Sequence, residues 1–199
     1  MLEIKIMKSK EELESTNPIP VAVEMWGTKN MPETWAYMGY VPKEGFYVKM
    51  TCEETNPIRR FTQNQDPVCQ DSAMELFLLL SEYGDAYMNF EMNANGAILT
   101  AYGPNRQQRT SLTDEQIETL EKSVEIGDTS WSIRFKVPEA LMNVVYGEVD
   151  LKEGSRFVLN FFKVYEGGEP CQYGAYADIS IPLPSFHEPE YYGEAMLVR

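Results

Sequence analysis

The sequence predicts an all-β protein, an antiparallel β-sandwich of jelly-roll or immunoglobulin-like type with short peripheral helices. Three observations lead there. Segments that alternate apolar and polar residues recur along the chain and are joined by short turns. Ala73 to Leu80 (AMELFLLL) is almost wholly apolar, as expected of a strand covered on both faces. Helical patterning is confined to two short stretches.

In chain order, Ser9 to Glu12 has the make-up of a capped turn, and Thr34 to Tyr40 carries a fainter strand pattern. Phe46 to Glu53 sets Phe46, Val48, Met50 and Cys52 against Tyr47, Lys49, Thr51 and Glu53. After the apolar strand, Tyr87 to Asn93 puts Met88, Phe90 and Met92 on one face and Tyr87, Asn89, Glu91 and Asn93 on the other. Asn95-Gly96 then predicts a tight type I′ hairpin, with Ala97 to Tyr102 as the return strand. Thr113-Asp-Glu-Gln116 is a capping box that starts a helix presenting Ile117 and Leu120 on one face. Trp131 to Val137 alternates with Ser132, Arg134 and Lys136 on its polar side. Pro138 suits the first position of a second helix, which Gly147 ends. Phe157 to Tyr165 is an aromatic-rich strand containing Asn160, and Gly193 to Val198 closes the chain as another faint strand.

The 199 residues suffice for one domain spanning 1–199, with residues 1–33 as an N-terminal extension packed on the sandwich. Hydrophobic content of 43% and aromatic content of 12% fit a globular core. No run approaches the roughly 20 apolar residues of a membrane span. The amino terminus lacks the apolar centre of a signal peptide, so the chain as written is expected in the cytoplasm. A net charge of −14 argues against nucleic acid and anionic membrane partners. Cys52, Cys69 and Cys171, odd in number and without C-x-x-C spacing, read as buried thiols. Nucleotide-binding glycine signatures and the G-x-S-x-G elbow are absent.

The row Tyr87, Asn89, Glu91 and Asn93 is the most informative feature. Amides and carboxylates fix vicinal hydroxyls with orientation, and Glu75, Arg134 or Lys136 would join the row from neighbouring strands. The plain alternative is the solvated face of an antiparallel sheet. Glu75, inside the apolar strand, needs a partner if buried: an arginine among Arg59, Arg60 and Arg134, or else a ligand or cation. Residues 55–77 form a long loop with two prolines and Arg59-Arg60, where Asp66 and Asp71 are candidate Ca²⁺ ligands, although the spacing is not that of an EF-hand. The single histidine, His187, sits among Phe186, Tyr191 and Tyr192.

The stretches "TNPIRRFTQNQDPVCQDSAMELFL", "YMNFEMNANGAILTAYG", "WSIRFKVP", "FVLNFFKV" and "PLPSFHEPEYYG" together resemble the family 9 carbohydrate-binding modules, within the wider DOMON-like β-sandwich group. The resemblance covers about residues 34–199. It implies an antiparallel sandwich that binds the ends of glucan and xylan chains between two tryptophans, with any Ca²⁺ being structural. Members of the family are often secreted or surface-associated and serve polysaccharide metabolism. Carried over by motif, the acid of D-S-x-x-E is Glu75, a polar strand position falls on or near Glu91, an amide-bearing strand near Asn160, and one aromatic platform on Phe186. The second platform would fall near Val68, which is not aromatic, leaving Phe61, Tyr176 or Trp26 to substitute.

The expected function is therefore non-catalytic recognition of a glycan, needing no cofactor. Its candidate contacts are Glu75, Asn89, Glu91, Asn93, Arg134, Asn160, Tyr176, Phe186 and His187. Other classes remain open. A glycosidase would use Glu75 and Glu91 as its carboxylate pair. A haem-binding DOMON-like domain would need His187 and a methionine as axial ligands. A purely structural part of a larger assembly would need neither. Which sugar binds, and the oligomeric state, are not readable from the residues.

Overall fold

The computed structural model describes residues 1–199. The chain is mostly β. Its strands are β1 (Leu2–Ile6), β2 (Ile19–Pro20), β3 (Val23–Glu24), β4 (Thr34–Val41), β5 (Gly45–Cys52), β6 (Ala73–Leu79) and β7 (Tyr87–Asn93). They continue as β8 (Ile98–Gly103), β9 (Thr110–Ser111), β10 (Ser123–Ile126), β11 (Trp131–Pro138), β12 (Arg156–Tyr165), β13 (Gln172–Ala175) and β14 (Gly193–Val198). Two α-helices, α1 (Asp114–Glu118) and α2 (Glu139–Tyr146), lie at the periphery. Thr113 caps α1 with the expected reciprocal bonds to Gln116, and Gly147, at φ +79°, ends α2.

All the strands belong to one curled sheet, ordered β10-β11-β5-β4-β1-β14-β12-β6-β7-β8-β9, with β13 beside β12 and β2 beside β4. The sheet is mixed, which corrects the purely antiparallel expectation. β1 runs parallel to both β14 and β4, because it enters between the first long strand and the last. The first 33 residues thus supply three strands, β1, β2 and β3, to the sheet itself. The curl brings distant strands face to face: Phe90 of β7 stacks on Phe135 of β11 with centroids 5.5 Å apart, and Phe46 of β5 meets Phe157 of β12 at 5.2 Å. Between the two halves lies a core of 35 buried residues. Each fully buried Leu or Phe in it contributes roughly 1.5–3 kcal/mol.

Alternation then decides what reaches the other side of the sheet. On β6, Met74, Leu76 and Leu78 enter this core, while Glu75 and Phe77 point outward. On β12, Phe157, Leu159 and Phe161 point inward with Lys163, whose ammonium lies 3.5 Å from Glu54. The outward side of β6, β7 and β12 is covered by the segment from Tyr176 to Tyr192. A second apolar cluster forms there around Phe77, Tyr87, Phe162, Phe186 and Tyr192.

The hairpin after β7 differs from the two-residue turn that Asn95-Gly96 suggests. Only Gly96 has positive φ (+79°), and the loop spans Ala94-Asn95-Gly96. Asn93 Oδ1 accepts from the backbone N–H of Asn95 and of Ala97, which holds the longer loop. Among the thiols, Cys52 is buried, Cys69 and Cys171 are partly exposed, and none is in a disulfide. The last two depart from the expectation of three buried thiols.

Candidate functional site

The polar row is not a solvated face. Tyr87, Asn89, Glu91 and Asn93 are all at most 4% exposed. His187 and Tyr192 pack on Tyr87, Arg109 from the loop after β8 covers Tyr87 and Asn89, and Phe61 and Asp71 from the loop before β6 hold Asn93. Glu75 and Glu91 are direct cross-strand partners on this face. Such partners hold their Cβ atoms roughly 4.5–5.5 Å apart. A cavity of about 150 Å³ opens above them. Its aromatic walls are Trp26, Phe77, Tyr173, Phe186 and His187, and Glu166 and Arg106 stand exposed at its rim.

The carboxyl pair has few partners of its own. Glu91 Oε1 accepts from Asn89 Nδ2 at 3.0 Å, whereas Glu75 Oε2 is buried without any hydrogen-bond partner. Burial raises the Glu75 carboxyl well above the usual carboxylate range, reinforced by the neighbouring charges of Glu91 and Glu166. Burial likewise lifts Glu91 to about 8, against the lowering effect of its bond from Asn89. Burial, with Arg109 and Arg106 nearby, lowers His187 to about 4, so its ring is neutral at pH 7. His187 Nδ1 and the Tyr87 hydroxyl share a hydrogen bond of 2.7 Å.

Arg109, which no sequence pattern singled out, anchors the floor. Its guanidinium lies 4.0 Å from the centroid of the Tyr87 ring. It donates to the carbonyls of Tyr87 (3.0 Å), Gly103 (2.7 Å) and Ala101 (3.1 Å) and to Asn89 Oδ1. Asn89 is thereby oriented to present its amide N–H to Glu91.

Trp26 reaches the cavity from residues that the sequence assigns to an extension. It occupies a tight turn closed by Thr28 N–H to Met25 C=O (3.0 Å), with φ of +49° at Trp26 and +83° at Gly27. A bulky residue in the left-handed region is strained, and such strain gathers at functional positions. The indole N–H donates to Ile181 C=O at 2.8 Å, fixing the ring 5.8 Å from Phe186 and edge-on to Tyr173. The Trp-Gly pair before a polar turn was the available signal. Phe186 itself is sandwiched, stacked on Phe162 with centroids 3.9 Å apart and planes 9° apart, so the open ring surface belongs more to its neighbours.

Of the sequence candidates, Glu75, Glu91, Phe186 and His187 line the cavity, and Asn89 adjoins it. The others lie elsewhere for definite reasons. Asn93 is saturated by Phe61 C=O, Asp71 and two backbone N–H groups. Asn160 bonds both the N–H and the C=O of Ala177. Arg134 sits on β11 in the opposite half of the sheet and pairs with Glu14, and Lys136 there pairs with Glu121. Tyr176 faces the main core and packs on Gly193, where an added Cβ would meet its ring at 2.6 Å. Val68 is buried and Phe61 is outside the cavity, so of the three proposed substitutes only Trp26 enters it.

The calcium candidates are likewise occupied. Asp71 accepts from Arg60 N–H (2.7 Å), Phe61 N–H (2.9 Å), Arg60 Nε (3.0 Å) and Asn93 Nδ2 (2.9 Å), while Asp66 caps Gln63 N–H at 2.9 Å. No three His, Cys, Asp or Glu side chains gather closely enough to hold a metal ion. No helix is long and apolar enough to cross a membrane. No methionine lines the cavity beside His187.

A larger groove of about 820 Å³ runs along β2 and β4, walled by Pro18, Pro20, Trp35 and Tyr37. Its carboxylates, Glu24 and Glu33, are exposed, and Glu24 accepts from Met31 N–H at 2.8 Å. Unlike the smaller cavity, it holds no unpartnered buried polar atom. The chemistry therefore concentrates in the smaller one.

The description of carbohydrate-binding family 9 matches residues 29–197. A provisionally assigned carbohydrate-binding protein from Bacteroides uniformis ATCC 8492 superposes with a TM-score of 0.84 at 20% identity, covering 99% of this chain and 98% of that one. A family 9 carbohydrate-binding module from Caldicellulosiruptor kristjanssonii, in complex with glucose, gives 0.67 at 10% identity over 98% and 95% of the two chains. The same kind of module from that organism with cellotriose gives 0.68 at 8% identity over 98% and 92%. No curated protein matches the chain. The structural likenesses establish the fold as that of these modules, which fits a β-sandwich.

Proposed function

Because this chain belongs to carbohydrate-binding family 9, we propose that it is a non-catalytic carbohydrate-binding protein whose ligand enters the cavity above Glu75 and Glu91. One observation carries the reading: a buried carboxyl oxygen with no partner, Glu75 Oε2, lies at the floor of a cavity walled by aromatic rings. Sugars present just this pairing, hydroxyls for the polar floor and C–H faces for the rings. At about 150 Å³ the cavity is smaller than the roughly 300–1,000 Å³ of drug-sized sites and suits one sugar ring. The family 9 modules of the same fold that hold glucose and cellotriose support the assignment. We read the two facing halves of the sheet as a sandwich of the jelly-roll class.

The placement of the acids supports a reading of binding without turnover. Glycosidase carboxylates flank the scissile bond. Glu75 and Glu91 are instead neighbours on the cavity floor, with Glu166 at the exposed rim as the other carboxyl lining it.

Calorimetric titration with a panel of mono- and oligosaccharides tests this. Dissociation constants between about 1 μM and 1 mM, roughly −8 to −4 kcal/mol, are expected. Trp26→Ala should weaken binding at least about tenfold, while Trp35→Ala in the larger groove should leave it unchanged. Heat with no sugar, or loss on Trp35→Ala alone, would refute the site.

A further inference from the structure

We propose that the sugar recognised here is an amino sugar with a free ammonium group, received by the buried Glu75–Glu91 pair. The inference rests on the carbohydrate-binding reading and goes further by naming the ligand class.

Two adjacent carboxyls, 1% and 4% exposed, lie on the cavity floor. A buried carboxylate needs a cation or several donors. Each cation around the pair is accounted for. Arg109 bonds three carbonyls and Asn89 and makes no ion pair; its charge acts on Glu91, offsetting one of the two acids and leaving Glu75 without a cation on this face. Lys163 projects from the other side of the sheet toward Glu54. Arg106 stands exposed at the rim, where water screens it and Glu166 offsets it. His187 is held neutral and is engaged by the Tyr87 hydroxyl, and the Cys69 thiol is pushed up by burial and stays protonated.

The pair therefore lacks one positive charge, and the cavity is the direction from which it can come. Glu166, His187 and Cys69 also line the cavity but do not gather with the pair into a cluster of three metal-ligating side chains. An ammonium fits: it is compact, offers three donors, and can bond Glu75 Oε2 and Glu91 together. The rings above would pack the apolar face of the sugar. Without ligand the pair keeps a proton, as the raised ranges of both carboxyls indicate. When the ammonium enters, that proton leaves to solvent and the local charge is conserved. A neutral sugar has no such exchange to make.

The test is calorimetry at pH 7 with glucosamine, glucose and N-acetylglucosamine, each in phosphate and in MOPS, whose heats of ionisation differ. We expect glucosamine to bind about tenfold or more tighter than either neutral sugar. Its heat should differ between the buffers by the release of a proton, while the heats of the neutral sugars do not. In Glu75→Gln and Glu91→Gln the preference should fall to about twofold or less, since the shape persists and the charge is gone. The proton release is read on the unaltered protein, so it decides the matter even if a variant folds poorly. Glucosamine binding no tighter than glucose would overturn the amino-sugar assignment while leaving carbohydrate binding intact. A preference undiminished in both Gln variants would overturn the role of the pair. No heat with any of the three would overturn the amino-sugar assignment, and no heat across the oligosaccharide panel as well would end both readings.

Discussion

Replacing Glu91 by Gln should stabilise the folded protein at alkaline pH and leave it nearly unchanged in acid. In the fold, Glu91 is 4% exposed and its carboxyl is lifted to about 8, with burial as the first cause. In the unfolded chain it ionises near 4.5. A carboxyl raised by folding contributes its full share of stability below the unfolded value and loses it as pH climbs toward the folded one. Stability due to Glu91 should therefore decline between pH 4.5 and 8. At 1.36 kcal/mol per pH unit the loss is capped at about 5 kcal/mol, and relaxation around the pair makes about 2–4 kcal/mol the working expectation. Glutamine keeps the oxygen that accepts from Asn89 Nδ2 at 3.0 Å and removes the charge. The assay is urea denaturation followed by tryptophan fluorescence, for both proteins, from pH 4.5 to 9. The quantity of interest is the difference between them, which cancels the pH response common to a chain of net charge −14. A difference that stays flat within about 0.5 kcal/mol across that window would refute the claim that Glu91 is held protonated in the fold.

Three further outcomes follow from the same geometry. The one histidine has an unambiguous imidazole NMR signal, which should titrate near pH 4 instead of 6.5; stability should fall by at most about 3 kcal/mol as pH drops through that interval, and a midpoint above 6 would contradict the burial of His187. Phe186→Ala should cost about 3–5 kcal/mol in chemical denaturation, because the ring is stacked on Phe162 in a packed cluster; a cost below 1 kcal/mol would mark it instead as an open platform. Arg109→Met should lower stability by about 3 kcal/mol, since carbonyls of Tyr87, Ala101 and Gly103 lose their donor, and thermal melting would show it as a clear drop in Tm.

Local alternation was enough to identify most of the long strands. Phe46 to Glu53, Tyr87 to Asn93, Trp131 to Val137 and Phe157 to Tyr165 all match observed elements within a residue or two, because side-chain direction along a strand has a fixed period of two. The capping box of α1 and the glycine ending α2 were legible for a similar reason: their bonds are made within four residues. The same period put Glu75 outward from an apolar strand and Glu91 on the polar side of its own. Pairing itself, Glu75 opposite Glu91, needed the register of two strands separated by a loop.

What lay beyond the sequence was everything set by contacts between distant residues. The parallel insertion of Leu2–Ile6 between β4 and β14 joins both ends of the chain and leaves no local trace. Arg134 and Asn89 look alike in an alternation pattern, yet the curl of the sheet puts them on opposite halves. Burial of the polar row depends on distant segments packing over it, among them His187, Tyr192, Arg109 and Asp71, and a half-polar strand reads the same whether water or a loop covers it. Trp26 joins Tyr173, Phe186 and His187 across about 150 residues, held by its bond to Ile181. Composition and periodicity determined the β class and which face each side chain takes. The long-range pairing of strands and loops alone decided that a polar face would become the buried floor of a cavity, because burial is a property of the whole fold and not of any segment.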